Sequence, residues 1–322
     1  MKISGSYKFY PYAEIKVNES VRLAIYDNQK EIFIHFEVIK PFDKYYINYS
    51  DLADHFDLKY KYQILDDDNK WKDHHVGYRA LIPERVDETG LKYAFYPSKN
   101  TTKHLIVCFQ AIQTTPSYNY IRTLNNVNAH RLYIKDDYGL DEKTHSSYYL
   151  NERNQIKVDT LVQLLIDNYV NHLGISKENI IFIGSSKGGF AGLYHGYKYG
   201  VGYIVVGGPQ TMLGNYLCIN SEESIRPAIF KSIFGDPTAK EYANSLIYEE
   251  LKKSTHPFPK TYIHIGRGEP HYEQHVLPFM EWAEEMCIPN INIDIEDYDD
   301  HEELATYYPA FLKRIIPKII NV

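Results

Sequence analysis

The chain has 322 residues, of which 44% are hydrophobic and 24% charged, and a net charge of −7. This is the composition of a soluble globular protein of one large or two smaller domains; it offers no basic tract for nucleic acid and no apolar window long enough to span a membrane. The three cysteines, Cys108, Cys218 and Cys287, are too few and too far apart for a disulfide framework, and the N-terminus lacks the apolar core of a secretory signal, so the expected compartment is the cytoplasm.

Residues 1–98 carry short, β-branched or aromatic segments, EIFIHFEVI (31–39), KYQIL (61–65), YRALIP (78–83) and LKYAFYP (91–97), separated by turn-rich stretches such as DDDNKWKD (66–73) and DETG (87–90). Partial alternation broken by turn residues predicts a small antiparallel β-unit. The 31 tyrosines of the chain suit sugar-binding rims, but compositional bias is the simpler reading.

From residue 99 to 322 the rhythm becomes strand, helix, strand. HLIVCF (104–109) is a continuous apolar run, as a strand buried on both faces requires, and RLYIK (131–135) follows it. Val158, Leu161, Val162, Leu165, Tyr169 and Leu173 form one helical stripe that Gly174 is placed to end. IIFI (180–183), GYIVVGG (202–208), TYIHIG (261–266) and INIDI (291–295) read as further strands. HVLPFMEWAEEM reads as a helix, as does the terminal ELATYYPAFLKRIIPKII with Pro317 inside it. Alternation of this kind predicts a mainly parallel sheet with helices on both faces. The long connection at 209–258 is where a cap or lid is expected.

Within this series, Gly184, Ser186 and Gly188 spell G-x-S-x-G between an apolar strand and a helical pattern. That is the nucleophile elbow of an α/β-hydrolase, in which a strained turn lifts the serine hydroxyl out of the sheet. Serine needs a base, and in this fold the order along the chain is serine, acid, histidine. His301, just after the 291–295 strand, holds the position of the base. Glu269, three residues past Gly266, is the candidate acid, with Glu273 as the runner-up. The oxyanion hole calls for the backbone N–H of Lys187 and a second from Gln110 or Ala111 in the loop after 104–109. The Lys187 side chain itself reads as a solvated helix residue, with an anionic substrate as the alternative. HYEQH (271–275) has histidines four apart but lacks the glutamate of H-E-x-x-H, and GSSKGG is not a phosphate-binding loop, so neither a metal nor a resident cofactor is expected.

GSSKGGFAGLYHGYKYG, IKDDYG (134–139), SYNYIRTL (117–124), GGPQTMLGNYL (207–217) and IEDYDDH (295–301) together resemble the XcbB/CpsF family of capsular-polysaccharide biosynthesis proteins over roughly residues 100 to 322. The resemblance implies an α/β-hydrolase domain in cell-surface glycan assembly. It suggests a serine esterase or O-acetyltransferase acting on acyl esters of a glycan, with acetyl-CoA as the donor if the reaction is a transfer. The alternative is a catalytically silent scaffold that binds glycan or assists assembly. The sequence carries no signal for the oligomeric state.

Overall fold

The computed structural model describes residues 5–113, 116–138, 146–150, 157–221 and 223–321. The chain divides into two compact units, Met1–Pro97 and Ser98–Val322.

The first unit holds β1 (Ser6–Phe9), α1 (Pro11–Ile15), β2 (Val21–Asp27), β3 (Ile32–Ile39), β4 (Tyr45–Asn48), β5 (Leu58–Leu65), β6 (Trp71–Asp73), β7 (Arg79–Leu81), β8 (Glu84–Val86) and β9 (Lys92–Tyr96). Within this unit β1 pairs with β4 and β8 with β9, and a sheet runs in the order β3-β2-β5-β6 with β7 also on β5, each of these pairings antiparallel. Val21, Leu23 and Ile25 alternate inward from β2 and pack with Phe9, Ile47, Leu58 and Tyr62. Glu14 pins α1 to the sheet by accepting hydrogen bonds from the Tyr60 and Tyr62 hydroxyls at 2.7 and 2.9 Å and from Arg79 at 3.0 Å. The DDDNKWKD stretch is a turn as far as Lys70 and then strand β6, because the Asp66 side chain caps the turn and returns the chain to β5.

The second unit is built on six parallel strands: β10 (Leu105–Phe109), β11 (His130–Ile134), β12 (Ile180–Ser185), β13 (Tyr203–Gly207), β14 (Lys260–Gly266) and β15 (Ile291–Glu296), in the spatial order β11-β10-β12-β13-β14-β15. Every residue of β10 and β12 is buried. Between and after the strands lie α2 (Val158–Leu173), α3 (Lys187–Tyr199), α4 (Leu213–Leu217), α5 (Arg226–Phe234), α6 (Lys240–Lys253), α7 (Leu277–Glu285) and α8 (Leu304–Ile320). Gly174 ends α2 in the left-handed conformation, φ 63°. Of the expected stripe Val158, Val162, Leu165 and Tyr169 are buried, joined by Ile166 and Val170, while Leu161 and Leu173 are half-buried. The 209–258 connection contains α4, α5 and α6. Consecutive strand residues face opposite ways, and Val206 meets α3 at Gly192 while Gly207 meets α8 at Tyr308, so α3 and α8 cover opposite faces of the sheet.

Register sets the rest. Phe109 lies opposite Gly184, Ser185 opposite Gly207, Gly207 opposite His264, and Gly266 opposite Glu296. The carboxyl ends of five neighbouring strands therefore form one row. The residues that follow them converge there, which is where open parallel sheets place their sites.

Candidate active site

Between β12 and α3 the chain turns on one residue. Ser186 has φ 54° and ψ −120°, a region in which a side chain is strained by about 1–3 kcal/mol. The surroundings hold it there. The Ser186 N–H donates to Gly207 O at 2.9 Å, a Cβ on Gly184 would strike the Gly188 carbonyl, and a Cβ on Gly188 would strike that of Phe109. Both flanking glycines are thus required by close backbone approach.

Ser186 Oγ lies 2.9 Å from His301 Nε2. His301 opens a short 3₁₀ turn after β15, and Asp300 and Glu303 form a capping box around it. On the far side of the ring, Nδ1 hydrogen-bonds to Glu269 Oε1. Glu269 is 1% exposed, and its loop follows β14. The structure thus brings Ser186, His301 and Glu269 into one line. Glu273 stands exposed in the π-helical turn Tyr272–Val276. With its proton on Nδ1 facing the carboxylate, His301 presents a lone pair to the serine hydroxyl, an arrangement that can remove the hydroxyl proton and stabilise the resulting imidazolium.

Lys187 begins α3, and a first-turn N–H has no acceptor within its own helix. The other two candidate donors are already engaged. The Gln110 N–H donates to the Tyr149 hydroxyl at 2.7 Å and the Ala111 N–H to Asn119 Oδ1 at 2.9 Å, so either would have to exchange that bond for one to substrate. The Lys187 side chain corrects the sequence reading. It is 1% exposed, not solvated, and pairs with Asp136 Oδ2 at 3.0 Å. Burial pulls its pKa down and Asp136 pulls it up, burial being the larger effect. Asp136 also accepts from the hydroxyls of Ser146 and Ser147. It lies just beyond β11, so this buried pair ties the elbow to the neighbouring loop.

Three further residues join the site. Gln210, 0% exposed, donates from Nε2 to Ser186 Oγ at 2.9 Å. His271 Nδ1 is 3.3 Å from both Glu269 Oε1 and Gly208 O, and its ring centroid is 4.1 Å from that of His301. His275 Nδ1 accepts from Met212 N at 3.2 Å, stitching the start of the α4–α6 segment to the turn after β14. Burial, reinforced by neighbouring positive charge, pushes His271 down to about 3 and His275 to about 4, so both are neutral at pH 7. Among the described residues one group could chelate a metal ion, Glu269, His271 and His301, whose ligand atoms lie within 4.8 Å of one another. That group includes His271 from the HYEQH pair but not His275, and it shares two members with the serine line. The signal that could have found Gln210 and Asp136 is their place immediately after parallel strands.

No protein-family model and no curated protein sequence matches the chain. Among solved structures it is similar to the capsule O-acetyltransferase of Neisseria meningitidis serogroup A, with 21% identity and a TM-score of 0.61 over 73% of this chain and 94% of that one. It is also similar to FphF, a fluorophosphonate-binding serine hydrolase of Staphylococcus aureus, with 16% identity and a TM-score of 0.58 over 74% and 97%. The fold is that of the α/β-hydrolases. A third similarity, to the Glycosylation Associate Protein complex of Streptococcus agalactiae, covers 98% of this chain and 62% of that one at 13% identity and a TM-score of 0.57. Among the described residues, no helix is long and apolar enough to cross a membrane.

Proposed function

We propose that the protein is a serine-dependent acyl-transfer enzyme whose substrate is an acyl ester of a cell-surface glycan. The observation that carries this reading is the hydrogen-bonded line Ser186, His301, Glu269 on a strained elbow. Ser186 attacks an ester or thioester carbonyl, His301 takes its proton and later returns it to the leaving group, and Glu269 holds the imidazole in the required tautomer. The acceptor is a glycan hydroxyl in an O-acetyltransferase or water in an esterase. The glycan and the transfer reaction are supported by the XcbB/CpsF-like motifs and by the similarity to a capsule O-acetyltransferase. A variant of that enzyme is known in complex with CoA, which supports acetyl-CoA as the donor here.

The test is labelling with a fluorophosphonate followed by mass spectrometry. The expected result is a single adduct on Ser186 that disappears in His301→Ala; folded protein that stays unlabelled overturns the reading. Turnover of p-nitrophenyl acetate and acetyl-CoA with and without a capsule oligosaccharide then separates the acceptors, because hydrolysis unaffected by the glycan argues against transfer. A second reading, a glycosylation assembly factor, is favoured by a similarity that extends over the first unit; unlabelled Ser186 in protein that binds glycan supports it.

A further inference from the structure

We propose that the side-chain amide of Gln210 is a catalytic donor that stabilises the oxyanion formed at Ser186. This rests on Ser186 being the nucleophile. In the resting site Ser186 Oγ has two partners among the described residues, His301 Nε2 at 2.9 Å and Gln210 Nε2 at 2.9 Å. The hydroxyl has one proton, which goes to the histidine lone pair, so Gln210 must present an N–H to the oxygen. Its carbonyl end, Oε1, is buried and has no partner among the described residues. The contact to Ser186 is therefore the polar contact that orients this amide.

The chemistry follows from that placement. Ser186 Oγ bonds to the acyl carbon, its proton passes to His301 Nε2, and the carbonyl π pair moves onto oxygen to give the oxyanion. As Oγ becomes an ester-type oxygen it accepts hydrogen bonds poorly, and the new anion stands on the carbon bonded to it. The amide has two N–H groups and can transfer its bond from Oγ to the anion by a small rotation. Collapse returns the electron pair to the carbonyl and breaks the bond to the leaving group, which takes the proton from His301. The Lys187 N–H approaches from the start of α3, and the Gln110 and Ala111 N–H groups are held by Tyr149 and Asn119, so Gln210 fills the place of the second donor.

The experiment compares the wild type with Gln210→Ala and with Gln210→Met, which keeps the volume and removes the donor. Steady-state hydrolysis of p-nitrophenyl acetate and the rate of fluorophosphonate labelling at Ser186 are both followed. Loss of an oxyanion donor lowers kcat by about 10²–10³-fold. KM should stay within about threefold and the midpoint of the pH–rate profile should not move, whereas a merely structural role that displaced His301 would shift that midpoint. Phosphonylation should slow in parallel, because the phosphonyl oxygen occupies the oxyanion position. A kcat within threefold of wild type in a folded variant, or a rise in kcat showing that the amide restrains the resting serine, overturns the proposal and leaves the nucleophile standing. A wild type that is neither labelled nor active removes both.

Discussion

One carboxylate oxygen, Glu269 Oε1, faces two imidazoles, those of His301 and His271. Replacing Glu269 with glutamine keeps the shape but allows the amide to donate towards His301 Nδ1, which turns the lone pair away from Ser186. On the proposed mechanism kcat for p-nitrophenyl acetate should fall by about 10³–10⁴-fold with little change in KM; a near-normal rate would transfer the role of acid to another residue. His271 is predicted to matter less and differently. It is held neutral, so His271→Gln should lower activity without adding or removing an ionisation from the pH–rate profile between pH 6 and 8, measured with the same ester.

The α3 helix enters the site through Lys187, and its start is fastened to the segment after β11 by the buried pair with Asp136. Breaking such a pair from one side leaves an uncompensated buried charge. Asp136→Asn should therefore cost about 3–5 kcal/mol in guanidinium denaturation, and the double variant Asp136→Asn with Lys187→Met should be less costly than the sum of the two single changes. The sequence could not show this pair, because Lys187 sits beside the elbow in a position that is solvated in an isolated helix and is buried only once β11 and its loop lie alongside. Strands such as Leu105–Phe109 and Ile180–Ser185 were legible because burial on both faces leaves an unbroken apolar run. β7 lies within the 78–83 segment read as strand, whereas β6 and β8, three residues each, are too short for a period to register and depend on turn geometry and their partners. Ser186, His301 and Glu269 were readable from chain order. Gln210 had only the weaker signal of its place after a strand, because its contact with Ser186 and that of His271 with Glu269 follow from the register of β13 against β12 and β14.

Across the whole molecule, acid should act chiefly through buried neutral histidines. His195 stacks on Phe109, accepts from Gln163 at Nδ1 and donates from Nε2 to Tyr149 O. Burial lowers its pKa from 6.5 to about 4, alongside His271 at about 3 and His275 at about 4. The unfolded chain takes up these protons below about pH 6.5 while the native state refuses them. The stability they contribute is therefore complete above that pH and is lost as pH falls towards 3–4, at about 1–2 kcal/mol per histidine by pH 5. Denaturation midpoints at pH 7 and pH 5 measure the loss, and His195→Gln should reduce the difference by one such increment; an unchanged difference would show that His195 is not part of the acid response.

Ser186 and His301 are 115 residues apart in the chain, and Tyr308, which accepts from the Gly184 N–H and donates to Val205 O, is 124 residues from that glycine. During synthesis the elbow is made long before His301, so on the proposed mechanism a growing chain carries an inert serine until β15 and the turn behind it have been added. Refolding has the same order imposed on it, because contacts of such long range close late. Reactivity at one hydroxyl then becomes a clock for the completion of the whole sheet, and a serine-directed probe added during refolding would time the last docking step rather than the first.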